Sequence, residues 1–249
     1  MKSVILCEGG TDLALLQYFM EVANGWENRE GSDFKINIGK SRKAFMQDND
    51  YLLIAETGGC SNICPQINKL LRLITRSATQ KEMIDKIVVI TDRDEVDSLE
   101  QFIYGIKNLF GKYEITLQNE ILENQWIPCS VRNGVKDVVH FEILFLLIPF
   151  ETTGALETFL LEAVSKKDKY DGIIVEKCNT FVDTLDCARK YLSKRRYKTK
   201  AKFDVYFSIR TPVEQFLERH NILKNIKWEE YEYMQESFKE LKALHINQL

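Results

Sequence analysis

Cysteine and histidine are scarce in this sequence, with six and three copies among 249 residues. Six cysteines are too few for a disulfide scaffold. The closest pair, Cys60 and Cys64, would need two further ligands to hold zinc, and the histidines show no ligand spacing. We therefore expect neither a disulfide-rich protein nor a zinc protein.

The sequence also lacks a long hydrophobic run. The most apolar stretch, Phe141–Phe150, is too short to span a bilayer as a helix, and Glu142 and Pro149 interrupt or bound it. The chain passes from Met1-Lys2 straight into a strand pattern, without a signal peptide. We therefore expect a soluble cytoplasmic protein with no membrane partner.

Positive charge is in slight deficit, and segments of biased composition are missing. The chain has 34 Lys and Arg against 37 Asp and Glu, for a net charge of −3. This balance excludes a protein coated in positive charge, but a local basic patch can still bind nucleic acid. Without repeats, low-complexity tracts or Pro/Gly-rich linkers, the chain is expected to fold as one large domain or one domain with an appendage.

Two aliphatic runs end abruptly at carboxylates. Residues 4–7 lead into Glu8, and residues 87–91 lead into Asp92 and Asp94. Runs that are apolar on both faces are typical of buried parallel strands, and ligands bind beyond the carboxyl ends of such strands. If the two strands are neighbours, the three carboxylates converge and repel one another unless a cation lies between them. Mg²⁺, which prefers oxygen ligands, is the cation we expect.

The residues after Glu8 allow two interpretations. Gly9-Gly10 permits a tight turn, and Thr11–Ala23 has the spacing of an amphipathic helix. Asp12, four residues after Glu8, can face the same crevice as Glu8. It can equally be no more than a helix cap, since Asp and Thr are favoured at helix starts.

The rest of the sequence alternates between strand and helix patterns, which predicts an α/β fold with a parallel sheet flanked by helices. We expect an α/β core over residues 1–131 and a mainly helical extension over residues 132–249, or a single domain comprising both. Residues 24–50 are predicted to form a loop with a short strand at Phe34–Ile38. The further predicted strands are Tyr51–Ala55, Met83–Thr91, Trp126–Val131 and Ile143–Pro149, and the further helices are Ile63–Ser77, Asp97–Phe110, Gly154–Ser165, Cys178–Ser193 and Met234–Leu244.

The densest positive run lies late in the chain, over Lys194–Lys202, where six Lys and Arg residues surround Tyr197. A basic run of this kind is either a solubilising helix end or a patch that contacts phosphate. Both interpretations remain open at this point.

The order of the acidic and glycine motifs resembles the Toprim domain of topoisomerases, bacterial primases, RecR-type recombination proteins and OLD-type nucleases. A strand ends in Glu8-Gly9, a second ends near Gly58-Gly59, and a third ends in Asp92-x-Asp94. The resemblance covers about residues 1–131 and implies a Toprim-like Rossmannoid sheet. The later half resembles a bacterial Toprim-related family in four segments, at Pro149, Gly154–Glu157, Cys178–Phe181 and Lys200–Phe207.

The resemblance implies a metal-dependent nuclease that holds two Mg²⁺ or Mn²⁺ ions. Glu8 resembles the Toprim glutamate, which is a metal ligand or general acid/base. Arg93 points away from the flanking acids if the segment is extended, so we leave it out of the catalytic set. The other implied residues are the metal ligands Asp12, Asp92, Asp94 and Glu157, together with Lys202 or Lys200 as the lysine that faces phosphate.

The sequence departs from several members of that superfamily. It has no Walker A motif, so any ATPase would be a separate partner, and no tyrosine is placed for topoisomerase chemistry. Two alternatives to the nuclease remain, namely a non-catalytic nucleic-acid-binding or scaffold module and a nucleotidyl or phosphoryl transferase. A role in bacterial defence is expected only by analogy with the family.

Overall fold

The structure is a computed structural model that describes residues 1–29, 36–77, 83–94, 98–212, 223 and 225–245. The described strands are β1 (Lys2–Cys7), β2 (Glu27–Asn28), β3 (Ser41–Gln47), β4 (Asp50–Glu56), β5 (Lys86–Asp92), β6 (Thr116–Leu117), β7 (Trp126–Arg132) and β8 (Val138–Ile148). The described helices are α1 (Gly10–Val22), α2 (Ile63–Arg76), α3 (Ser98–Lys112), α4 (Leu156–Lys167), α5 (Lys169–Leu185), α6 (Arg195–Arg210) and α7 (Glu232–Ser237).

These strands form one sheet with the order β2-β3-β4-β1-β5-β8-β7-β6. The central strand β1 runs parallel to both of its neighbours, with Val4 opposite Leu53 of β4 and Ile87 of β5. The outer pairs, β2 with β3, β3 with β4, β6 with β7 and β7 with β8, are antiparallel. The predicted α/β fold with parallel core strands and a helical C-terminal part is confirmed, but the sheet is mixed, not wholly parallel.

Strand β3 lies in a region that the sequence pattern assigned to a loop. Ser41–Gln47 pairs along its whole length with β4, although Phe45 is its only fully buried residue. A strand with one face in water needs apolar residues only at alternate positions. In β3 this pattern is hard to recognise, because Arg42 is exposed and Lys43 is half-buried. Of the predicted strand at Phe34–Ile38, the first two residues lie outside the described part, and 36–38 are not in a strand.

The apolar stretch that precedes Pro149 forms the inner end of β8, where Ile143–Ile148 is buried throughout. None of the helices in the described part of the chain has the length and hydrophobicity of a membrane span. Strand β8 pairs with β7 over Val138–Leu144 as an antiparallel hairpin, and its burial alternates near Val138 and becomes continuous from Ile143.

Contacts between residues divide the chain into two compact units. The first unit comprises Met1–Thr91, Val96–Leu147 and Lys239–Leu249, and the second comprises Asp92–Glu95 and Ile148–Phe238. This division differs from the predicted boundary between residues 131 and 132, because β8 hydrogen-bonds to β7 and so belongs with the sheet.

In the first unit, the helices bury the faces that their spacing predicts. Helix α2 turns Ile63, Ile67 and Leu70 into the cluster that contains Val4 and Leu6 of β1. Helix α1 buries Leu13, Leu16, Phe19 and Met20 and packs on β3 and β4. Burial of each such side chain contributes about 1.5–3 kcal/mol, so these faces fix the helices against the sheet.

In the second unit, α4 packs against α5, α6 and α7. Helix α5 differs from the predicted Cys178–Ser193 at both ends. It begins nine residues earlier, because the Asp168 carboxylate accepts the backbone N–H groups of Tyr170 and Asp171 and caps it. It ends at Leu185, because Asp186 leaves the helical conformation and its carboxylate accepts the N–H groups of residues 190–192.

The basic run Lys194–Lys202 lies at a helix start, since Arg195 opens the sixteen-residue helix α6 and the run forms its N-terminal half. One further helix prediction needs correction. The predicted helix Met234–Leu244 is instead the short helix α7 and a 3-10 helix, Lys239–Leu244. The break falls where the chain passes from the second unit to the first.

The cap of α5 can be tested directly. Replacing Asp168 by alanine is expected to lower the free energy of unfolding by about 1 kcal/mol, because two N–H groups lose their acceptor. Urea denaturation followed by circular dichroism measures the change. Asp168→Ser, which restores a capping oxygen, should recover most of the loss, and equal losses for both variants would contradict the cap.

Candidate active site at the strand ends

The ends of β1 and β4 bring two acidic residues to one edge of the sheet. Cys7, the last residue of β1, is in register with Glu56, the last residue of β4, and Glu8 follows Cys7. The backbone carbonyl of Glu8 accepts N–H groups from both Gly58 and Gly59 at 2.9 Å. Because the two strands are parallel, both acidic side chains leave from the same edge.

The Glu8 carboxylate is anchored on the neighbouring strand. Its Oε1 accepts a hydrogen bond from the Thr91 hydroxyl at 2.5 Å, and Thr91 is buried near the end of β5. This contact fixes Glu8 against the residue that immediately precedes Asp92 in the chain. Sequence reasoning did not select Thr91, and the available signal was a hydroxyl placed directly before the acidic motif.

The turn at Gly9 and Gly10, where α1 begins, leaves little room for a side chain at either position. The Gly9 N–H donates to Asp12 Oδ2 at 3.0 Å, so Asp12 does make the capping contact that was one of its two predicted roles. A Cβ on Gly9 would lie 3.3 Å from Asp12 Oδ2, and one on Gly10 would lie 3.2 Å from Glu56 Oε2. Glycine therefore lets two carboxylates approach the same turn.

The charges of three carboxylates act on the buried thiol of Cys7. Burial raises the pKa of this thiol well above its ordinary value, and the charges of Asp12, Glu56 and Glu8 raise it further. Two of these residues, Glu8 and Asp12, are among the predicted site residues, and Glu56 is not. Sequence reasoning missed Glu56 as a site residue, although it ends a strand before Gly-Gly as Glu8 does.

The raised pKa of Cys7 predicts an unreactive thiol. In the native protein at about pH 8, iodoacetamide is expected to spare Cys7 and modify the exposed Cys60 and Cys187, because the thiolate is the reactive form. Peptide mass spectrometry reports each site. Rapid native labelling of Cys7 would contradict this prediction.

The same shift in the pKa of Cys7 sets a pH dependence of stability. Above the ordinary thiol pKa the unfolded chain loses a proton that the native state keeps, so Cys7 makes the free energy of unfolding fall as pH rises. The slope is up to about 1.4 kcal/mol per pH unit. Urea denaturation at alkaline pH should show a shallower fall for Cys7→Ala, and an unchanged slope would contradict the assignment.

In the second unit, the side chain of Asp92, the last residue of β5, contacts the start of α4. Its Oδ1 accepts the Leu156 N–H at 3.1 Å, and the next residue, Glu157, is buried at 6% exposure. The structure therefore brings Asp92 close to the segment that carries Glu157. Arg93 donates from its backbone N–H to the Ile148 carbonyl and from Nε to the Pro149 carbonyl.

The remaining predicted residues of the second unit are Asp94, Lys202 and Lys200. Asp94 is exposed beyond the end of β5. Lys202 is on α6, where its Nζ lies 2.8 Å from Asp183 Oδ2, and Lys200 is exposed on the same helix. Lys202 is thus already paired with a carboxylate that the sequence analysis did not include.

The carboxylates at the strand ends suit a hard divalent cation, because Mg²⁺ prefers carboxylate oxygens as ligands. Among the residues that the structure describes, however, no three His, Cys, Asp or Glu side chains are arranged as a ready metal site. In the described conformation, Thr91 engages Glu8 and the Gly9 N–H engages Asp12. A metal ion would therefore require carboxylates to rotate towards it.

Comparison with known proteins places the whole chain in one family. A family model described as "Protein of unknown function (DUF3226)" matches residues 2–242. None of the curated proteins matches the sequence significantly. A hypothetical protein from Pyrococcus horikoshii OT3 is similar in structure, with 15% identity, a TM-score of 0.51 and 98% of each chain covered. At this identity, the likeness supports the α/β fold and nothing further.

A second solved structure is much less similar. It is a putative glyoxalase family protein from Bacillus anthracis, with 11% identity and a TM-score of 0.20. The match covers 58% of this chain and 93% of that one. A score of this size supports no inference about fold or activity.

Proposed function

The chain belongs to the DUF3226 family, and we propose that it is a metal-dependent nuclease that hydrolyses phosphodiester bonds in DNA or RNA. The observation that carries the proposal is the hydrogen bond between Thr91 and Glu8. It holds a carboxylate in a defined orientation at the carboxyl ends of parallel strands, which is where open α/β sheets bind ligands. The Toprim-like order of the acidic motifs supports the same assignment.

The proposed ligands of two Mg²⁺ or Mn²⁺ ions are carboxylates. Within the first unit they are Glu8, Asp12 and Glu56, and within the second unit they are Asp92, Asp94 and Glu157. When bound, such ions would polarise the phosphate and lower the pKa of an attacking water.

The chain's own cations would act on the substrate. We assign Lys202, with Lys200 as the alternative, to neutralising the charge that builds up on the phosphate. Lys202 is now paired with Asp183, so this role requires its ammonium to turn from that carboxylate to the phosphate. Glu8, which Thr91 keeps in place, would act as metal ligand or general acid/base.

The test is cleavage of labelled single- and double-stranded DNA and RNA by the full chain. Cleavage in Mg²⁺ or Mn²⁺ that EDTA abolishes is the expected result. Incorporation of labelled nucleotides without hydrolysis would indicate the transferase alternative. Binding of nucleic acid that is independent of metal, with no cleavage, would indicate the scaffold alternative.

The proposal includes nucleic acid as the partner and the cytoplasm as the compartment. An ATPase is a further proposed partner, by analogy with the OLD-type nucleases that the acidic motifs resemble. A bacterial defence role rests on the Toprim resemblance alone.

A further inference from the structure

A second candidate site lies wholly within the second unit. Residues of α4, α5 and α6, with the turn before α4, enclose a cavity of about 490 Å³. This volume is within the range of sites that bind small molecules. None of the carboxylates proposed as metal ligands lines it, although Lys202, which we assign to the phosphate in the proposed nuclease, does.

The lining of this cavity is cationic although the chain as a whole is acidic. Among the described residues that line it, four are basic and Glu162 alone is acidic. Glu162 is already bonded, since its oxygens accept the hydroxyls of Thr152 at 2.5 Å and Tyr233 at 2.8 Å. The basic side chains are Lys166, Arg195, Lys198 and Lys202.

Part of that positive charge is balanced from outside the lining. Asp183 lies 2.8 Å from Lys202 and 3.9 Å from Lys198, and Glu151 lies 3.7 Å from Lys166. Asp183 and Glu151 are exposed, and salt bridges at such positions are weak. An anion in the cavity could therefore compete for the same ammonium groups.

A buried hydrogen-bond acceptor without a donor is a second feature of the cavity that favours a ligand. Asn179 lines the cavity, and its Oδ1 is buried without a hydrogen-bond donor among the described residues. A buried acceptor left in this state costs about 1–3 kcal/mol, which a ligand that donates a hydrogen bond would recover. Leu161 and Val175 supply apolar wall beside these polar groups.

We propose that this cavity binds a nucleoside monophosphate, either free or as the 5′-phosphorylated end of a nucleic-acid strand. The basic side chains would hold the phosphate, and the apolar wall would contact the nucleoside. Asn179 would accept a hydrogen bond from an amino group of the base or a hydroxyl of the sugar. Inorganic phosphate alone would leave the nucleoside contacts unmade. This binding needs neither metal nor cleavage, so it does not rest on the proposed nuclease activity.

The test is calorimetry of the full chain in EDTA with adenosine, guanosine, cytidine and uridine 5′-monophosphates and with inorganic phosphate. At least one nucleotide should bind more tightly than phosphate. Lys198→Gln should weaken nucleotide and phosphate alike, by roughly tenfold. Asn179→Leu should weaken only the nucleotide, also by roughly tenfold.

Lys177→Gln is the matched control, because Lys177 is an exposed lysine on α5 that does not line the cavity. It should leave the affinity unchanged, and circular dichroism should show all variants folded. If Asn179→Leu does not fold, Asn179→Asp, which places a negative charge beside the basic groups, should weaken nucleotide binding instead.

A short oligonucleotide, prepared with and without a 5′-phosphate, distinguishes a free nucleotide from the end of a strand as the ligand. Tighter binding of the phosphorylated form than of free monophosphates identifies a strand end, and the reverse order identifies a free nucleotide. Binding of phosphate but of no nucleotide would overturn the proposal, as would equal losses for Lys198→Gln and Lys177→Gln.

Discussion

Replacing Glu8 by glutamine is expected to reduce metal-dependent cleavage of nucleic acid by about a hundredfold or more. The amide matches the carboxylate in size, and its oxygen can still accept the Thr91 hydroxyl, so the local structure should persist. What is lost is the negative charge that a divalent cation requires. Initial rates in Mg²⁺ and Mn²⁺ measure the effect, and Asp92→Asn should cause a loss of the same order.

The matched control for Glu8 is Glu27→Gln, which neutralises a glutamate that is exposed on β2 of the same unit. Its rate should stay within about twofold of the parent, since surface charges contribute little to a distant reaction. A Glu8→Gln protein that is folded and cuts at the parent rate would exclude Glu8 from the site.

Two further variants test the roles of the residues next to Glu8 one at a time. Thr91→Val removes the anchor but keeps the Glu8 charge, so an intermediate loss, about tenfold, is expected from imprecise positioning. Glu56→Gln tests whether the third carboxylate near the turn shares in metal binding. A raised Mg²⁺ requirement in Glu56→Gln would show that it does.

Replacing Phe159 by alanine is expected to cost about 3–5 kcal/mol of unfolding free energy, the largest stability effect we expect. Phe159 of α4 is fully buried, and its ring lies 5.3 Å from that of Tyr233 and 5.5 Å from that of Phe238. Alanine would leave a cavity among these rings. The same helix carries Glu157, so loss of this packing should also reduce the proposed activity.

Urea denaturation of Phe159→Ala and of Phe181→Ala gives the comparison. Phe181 is half exposed on α5 of the same unit, and its truncation should cost about 0.5 kcal/mol or less. Phe159→Leu, which refills much of the space, should cost about 1.5 kcal/mol or less. Similar losses for Phe159→Ala and Phe181→Ala would show that the aromatic cluster does not hold the unit together.

The parts of the fold that the sequence predicts well are those with a strong local pattern. The aliphatic runs before Glu8 and Asp92 form the parallel strands β1 and β5, because a strand buried on both faces is apolar at most of its positions. Helix α2 is equally clear, since its buried residues recur at helical spacing.

What sequence reasoning missed depends on contacts between distant residues. Glu56 joins the site because β4 pairs with β1 in the register that sets it opposite Cys7. Thr91 joins because its hydroxyl meets a residue 83 positions away. Neither strand register nor side-chain pairing is encoded in local periodicity. The 3-10 helix Lys239–Leu244 likewise depends on its place in the first unit, since the helix before it belongs to the second unit.

Divalent metal is expected to bind the carboxylates at the strand ends. Anomalous diffraction from a crystal soaked in Mn²⁺ would locate the bound ions. We expect manganese peaks within about 2.5 Å of carboxylate oxygens of Glu8 and Asp92. A fully soaked crystal with no manganese at either residue would exclude the proposed metal site and, with it, the nuclease chemistry.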